Sequence, residues 1–380
     1  MHIENRKEAS MSFRSKHFRF FIVLFLAITA IVSAQSDAKP KNIIFLIGDG
    51  MGVAHVTAAK IVKGSLDMER CKVMGMHMTA AANNPVTDSA AAGTALASGF
   101  RTNNDVVGLC PDGKPLKNLM EYAQETGRAT GVAVTVILTH ATPAAFYAHH
   151  KARYHYDIIA DQMLNSRLDV MIGGGWDNFY PKTFTRSRRK DDRNLVLEQR
   201  RKMPVVTSYE ALMQASRIRQ ITAILDGGHL PHASKRTYTL GNLTDKAISL
   251  LNQNEKGFVL MVEGSQIDLA AHANDMQRVL DETLDFDTAV KSALDFAEAD
   301  GNTLVVITAD HETGGLSFPY NSIEGNKIVA AKFSSDNHTA EMVPVFAFGP
   351  GAEKFGGIYD NTHVGKTLIE LVKKDDEPCN

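Results

Sequence analysis

Acidic and imidazole side chains collect directly after short apolar runs in this sequence. Ile43 to Ile47 leads into Gly48-Asp49-Gly50-Met51-Gly52, Phe258 to Val262 leads into Glu263, and Leu304 to Thr308 leads into Asp310 and His311. If these runs are parallel strands, their carboxyl ends share the rim at which open α/β sheets bind ligands. Three carboxylates on one rim repel each other and are driven to take up protons unless cations lie between them, so the pattern points to divalent metals. Asp268 and His272 are four residues apart and face the same way on a helix, a spacing suited to metal binding. His338 is a further imidazole. An isolated histidine is more often structural, and His338 reads as a ligand only because a carboxylate-rich rim is expected. Nitrogen and oxygen donors without thiolate suit zinc, whereas a mainly oxygen set suits magnesium. Thr87-Asp88-Ser89-Ala90-Ala91-Ala92-Gly93 offers a nucleophile. Its plain reading is a helix capped by Asp88 or Ser89 and ended by Gly99. Its chemical reading puts Ser89 at a helix N-terminus, where free amides favour a phosphate or a developing alkoxide. The glycines at 48–52 lack both P-loop and GxGxxG spacing.

The elements that must position these groups follow from the hydrophobic pattern. Further strands are expected at Val132 to Leu138, Val170 to Ile172 and Val343 to Phe348. All six runs are nearly continuously apolar, as a parallel sheet covered on both faces requires. Helices fit between them at Leu116 to Thr126, Tyr156 to Asn165, Leu243 to Asn252 and within Asp275 to Ala299. This alternation predicts an α/β three-layer sandwich with a mostly parallel central sheet and a small cap or insertion. Residues 176–240 are expected as that surface insertion. They begin with a basic run, Arg186 to Lys202, that reads as a solvated face, and residues 203–240 are weakly patterned.

The chain has 380 residues and a formal net charge of −2. Residues 1–34 read as an export signal, because Arg14, Lys16 and Arg19 precede the apolar run Phe20 to Ile28, and Val32-Ser33-Ala34 offers a cleavage site. The apolar run is short of the roughly 20 residues that span a membrane. Residues 35–380 then form a single catalytic domain, periplasmic or secreted. Removing five of the 41 basic and two of the 43 acidic residues leaves a net charge of −5. No basic footprint for a nucleic-acid partner remains, and no stable membrane span. Three cysteines, Cys71, Cys110 and Cys379, do not make a disulfide scaffold. Cys71 and Cys110 could pair, leaving Cys379 near a polar C-terminus.

Taken together, these segments resemble the metal-dependent alkaline phosphatases. The matching pieces are Gly48-Asp49-Gly50-Met51-Gly52, Thr87-Asp88-Ser89-Ala90, Thr139-His140-Ala141-Thr142-Pro143, Gly173-Gly174-Gly175, Val262 to Asp268 with His272, Thr308 to Gly315, and His338-Thr339-Ala340-Glu341 with Val343-Pro344-Val345. They run in the family's order. The resemblance implies hydrolysis of small phosphate monoesters through a phosphorylated Ser89 at a site with two Zn2+ and one Mg2+. It implies Asp49, Ser89, Asp310 and His311 around one zinc, Asp268, His272 and His338 around the other, and Asp49, Thr142 and Glu263 around magnesium, with His140 close by. Arg153 falls where the family has its phosphate-binding arginine, whose planar guanidinium grips two oxygens at once. A homodimer is also implied.

Two positions depart from the pattern. His140 stands where some bacterial members have aspartate, and Leu269 stands where some have a basic residue. The chain is also short for the family, so large surface insertions of the kind that often build a dimer interface are absent. The nearest rival is a phosphodiesterase, phosphonate hydrolase or sulfatase of the same superfamily. A sulfatase calls for Cys/Ser-x-Pro-x-Arg, whereas Ala90-Ala91-Ala92-Gly93 follows Ser89. Arg153 favours a dianionic monoester over a diester. A non-catalytic metal- or phosphate-binding protein is the alternative from another class, and turnover separates it.

Overall fold

A computed structural model describes residues 39–373. The expected export signal and Cys379 lie outside these residues. Residues 40–373 belong to one compact unit.

Ten strands form the central sheet: β1 (Asn42–Gly48), β2 (Val73–Met78), β3 (Ala129–Ile137), β4 (Val170–Gly174), β5 (Val205–Val206), β6 (Ile221–Ile224), β7 (Phe258–Gly264), β8 (Thr303–Thr308), β9 (Val343–Phe348) and β10 (Gly357–Asp360). Their spatial order is β10-β2-β9-β8-β1-β7-β3-β4-β6-β5. All neighbouring pairs run parallel except those made by β9. The strand β1 shows why the apolar runs are continuous. Ile43, Phe45 and Ile47 enter one core and Ile44 and Leu46 the other. With period two, a strand covered on both faces must be mainly apolar on both.

One face is covered by α2 (Ser89–Ser98), α3 (Leu119–Glu125), α4 (Tyr156–Met163) and α8 (Asn361–Val372). The other is covered by α1 (Val53–Lys63), α5 (Leu240–Leu251) and α7 (Met276–Asp300), while α6 (Gln266–His272) leads from the end of β7 into α7. Two helices begin away from their expected first residues because of caps. Asn118 accepts from the amides of Met120 and Glu121 and starts α3 at Leu119. Thr239 accepts from Asn242 and starts α5 at Leu240. Each such cap is worth about 1 kcal/mol.

Three features differ from expectation. Within the stretch read as a surface insertion, β5 and β6 pair with each other and with β4 and extend the sheet. In the basic run, Arg189 is buried and held by Asp161 and Asp191. Its guanidinium closes a loop rather than facing water. Cys71 and Cys110 are free thiols. Cys71 is packed in the core with Leu66 and Met68, where burial pushes its thiol up to about 12, while Cys110 stands in a tight turn bonded to Lys114. These environments keep the two side chains in separate local structures.

Candidate active site

Register brings the acidic groups together. Ile47 lies opposite Glu263 on one side and Thr308 on the other, so Asp49, Glu263 and Asp310 emerge side by side at the carboxyl edge of β1, β7 and β8. All three are fully buried. Burial, reinforced by repulsion from Asp310, Asp268 and Glu263, holds the Asp49 carboxyl well above its ordinary range. Burial and then Asp310 push Glu263 up to about 8, and burial and then Asp268 push Asp310 up to about 7. Both oxygens of Asp49 and of Glu263, with Oδ2 of Asp310, make no hydrogen bond. Five buried carboxylate oxygens without donors cost several kcal/mol unless positive charge meets them. A cation-binding centre fits this donor set.

Three groups of donors are close enough to share ions: Asp49, Asp310 and His311; Asp268, His311 and His338; and Asp49, His140 and Glu263, the atoms in each lying within 4.8 Å. His272 joins the second group, its Nε2 standing 3.3 Å from Asp268 Oδ1 and 3.2 Å from His338 Nε2. The hydroxyl of Thr142 is buried, unpartnered and beside Glu263.

Neighbours aim the imidazoles. His272 Nδ1 lies 2.6 Å from the Asp336 carbonyl, and His338 Nδ1 lies 2.7 Å from the Thr87 carbonyl. A carbonyl only accepts, so each Nδ1 carries the proton and each Nε2 lone pair faces the site, as metal-bound histidines require. Thr313 donates to Asp268 Oδ1 at 2.6 Å and lies 3.2 Å from His311 Nδ1. It orients both. Burial, then the nearby imidazole of His338, keeps His311 neutral. Burial, then Arg153, does the same for His140.

Ser89 is the first residue of α2, with Oγ 3.3 Å from His311 Nε2. Asp88 caps the helix through the Ala91 amide at 2.9 Å. Its second oxygen accepts from Arg153 at 2.9 Å. Burial alone would lower the Arg153 pKa, but the Asp88 carboxylate overcomes it and keeps the guanidinium charged. Ser89, Arg153, His140, Asp268, His272 and His338 border one cavity of about 430 Å³. Of the other residues expected from the sequence, Asp49, Glu263, Asp310 and His311 join these lining residues through the donor groups above, and Thr142 stands beside Glu263. Sequence reading missed the Asp88 tether to Arg153 and the aiming role of Thr313. Both residues stood in matching segments, yet no spacing rule links them to partners so far along the chain.

A sequence profile described as alkaline phosphatase matches residues 40–334. The chain belongs to the alkaline phosphatase family. It is 33% identical to alkaline phosphatase 4 of Bacillus subtilis, across 89% of this chain and 90% of that protein. It is 32% identical to the Escherichia coli alkaline phosphatase, across 89% and 87%. The solved alkaline phosphatase of the Antarctic bacterium TAB5 is 34% identical, covers 89% of this chain and 99% of its own, and superposes with a TM-score of 0.82. A variant of that enzyme with a histidine replaced by glutamate has magnesium bound in its M3 site. The α/β fold and mostly parallel sheet are those of an alkaline phosphatase. As a member, this chain is a metal-dependent hydrolase of phosphate monoesters, releasing an alcohol and inorganic phosphate.

Proposed function

We propose that Ser89 is the nucleophile of this alkaline phosphatase and that two Zn2+ and one Mg2+ are its metals. The observation that supports the reading is Ser89 Oγ 3.3 Å from His311 Nε2, in a cavity that it lines together with the Asp88-tethered Arg153. Asp49, Ser89, Asp310 and His311 would hold one zinc, Asp268, His272 and His338 the other, and Asp49, Thr142 and Glu263, with His140 adjacent, the magnesium. When bound, these ions supply Lewis-acid stabilisation of the charge that develops on the attacking and leaving oxygens.

The residues do the rest. Arg153 takes two non-bridging phosphoryl oxygens in its planar fork, and the free amides at the start of α2 neutralise further charge. Ser89 Oγ loses its proton and attacks phosphorus in line with the ester oxygen. The ester P–O bond breaks, the alcohol leaves with a proton, and the phosphoryl group stays on Ser89. Water then attacks phosphorus and gives up a proton, the bond to Oγ breaks, Ser89 Oγ takes a proton back, and inorganic phosphate departs. Residues 1–34 would export the chain to the periplasm or the medium, and the protein would act as a homodimer.

The test is turnover of a chromogenic phosphate monoester beside the matching diester and sulfate ester, with and without a strong chelator, in the parent and in Ser89→Ala. Rapid hydrolysis of the monoester alone, lost in Ser89→Ala and under chelation, is the expected result. Parent-like turnover by Ser89→Ala overturns the nucleophile assignment.

A further inference from the structure

The 430 Å³ cavity that holds Ser89 and Arg153 is also lined by aromatic and aliphatic side chains. Tyr154 lies on the lip beside Arg153 and is 64% exposed, an unusual place for so large a ring. The guanidinium carbon of Arg153 is 5.5 Å from the Tyr154 ring centre. Tyr156, the first residue of α4, meets the Tyr154 ring edge-on at 6.4 Å. Two neighbours therefore hold the ring, while much of it remains open to solvent. Leu269 also borders the mouth, carried between Asp268 and His272 on α6, and Val86 extends the apolar lining. The remaining lip includes Asn84 and Asn104, which are neutral, and the exposed carboxylate Asp105. A cavity that grips phosphate by charge thus opens past an aromatic face and an aliphatic side chain, with an acidic group and no lysine beside them.

We propose that Tyr154 and Leu269 form a leaving-group subsite that selects monoesters of uncharged, flat aromatic alcohols over those of small polyols. The inference rests on the assignment of Ser89 and Arg153 to the phosphoryl group. With phosphorus over Ser89, the ester oxygen points to the mouth and the alcohol lies against Tyr154. An aromatic alcohol stacks there and buries apolar surface also against Leu269. Glycerol offers neither face nor apolar area, and a leaving group with an additional negative charge meets Asp105. Ring stacking adds to the gain from burial.

The experiment compares kcat/KM for phenyl phosphate and glycerol 2-phosphate in the metal-loaded parent, Tyr154→Ala, Tyr154→Phe and Leu269→Ala, with inhibition by inorganic phosphate read in each. Comparing variant with parent for each ester cancels the different basicities of the two alcohols. Tyr154→Ala is expected to lower the phenyl-to-glycerol preference about fivefold, mainly through KM for the phenyl ester. Tyr154→Phe keeps the preference, Leu269→Ala weakens it, and inorganic phosphate inhibits all four proteins alike. A preference within twofold of the parent in Tyr154→Ala overturns the subsite. So does an equal loss on both esters with weakened phosphate inhibition, which would mean that Tyr154 acts only by supporting Arg153. Failure of the parent to hydrolyse either ester, or full activity in Ser89→Ala, would instead strike the reading of the phosphoryl site.

Discussion

Asp88 joins two parts of the active site with one carboxylate: one oxygen caps the helix that presents Ser89, and the other tethers Arg153. Asp88→Ala is therefore expected to weaken inhibition by inorganic phosphate about tenfold, since hydrogen bonds between charged groups are worth about 1.5–3 kcal/mol. It is also expected to lower unfolding stability by about 1 kcal/mol through the lost cap. Phosphate inhibition and denaturant unfolding read the two effects separately. Away from the metals, His55 is fully buried, accepts the Gly52 amide on Nδ1 and leaves Nε2 without a partner. Burial lowers its pKa to about 4 from 6.5. Between these values the unfolded chain takes up the proton and the folded chain does not, so stability is lost as pH falls through this window, by up to about 3 kcal/mol. His55→Gln should flatten that part of the curve. Urea unfolding at pH 7, 6, 5 and 4 measures it, and a parallel pair of curves would refute the assignment.

At the next scale, one helix contact positions the nucleophile and one turn positions Asp49. The helix α2 is buried along its whole length and packs against α8, where Gly365 lets the backbones meet. A Cβ added to Gly365 would stand 2.5 Å from the Ala95 carbonyl oxygen and 2.6 Å from the Gly99 amide nitrogen. These are backbone atoms with no flexible side chain to give way. Gly365→Ala should therefore displace α2, cost about 1–3 kcal/mol and lower turnover through Ser89. Gly228→Ala, which meets nothing within 4 Å, is the matching control. Thermal unfolding and kcat for the pair check the prediction. At the β1 end, Gly50 has φ +73°, and a Cβ there would press on Asp268 Cα at 2.9 Å. The turn that carries Asp49 needs glycine for both reasons.

At the scale of the whole molecule, the sheet edge concentrates carboxyl groups that must either take up protons or meet cations. Removing metal with a chelator should abolish turnover and lower the thermal midpoint. Adding zinc back should raise that midpoint in proportion to the logarithm of its concentration, because the ion binds the folded state alone. A midpoint indifferent to chelation would sink the view that the centre needs cations. Much of this arrangement was legible in the sequence. Strands such as β1 and β7, buried on both faces, are apolar along their middles, and the polar residue that follows each apolar run marks the rim. By contrast β5, with two residues, and β10, with exposed Ile358, carry no such local signal. Their pairing depends on neighbours already in the sheet. The same limit applies to the pairing of Asp88 with Arg153, the aiming of His338 by the Thr87 carbonyl, and the separation of Cys71 from Cys110. Local chemistry determined which groups could bind metal or attack phosphorus. Only the tertiary structure decided which of them meet, because contacts between residues far apart in the chain are set by the register of the sheet and the packing of helices upon it.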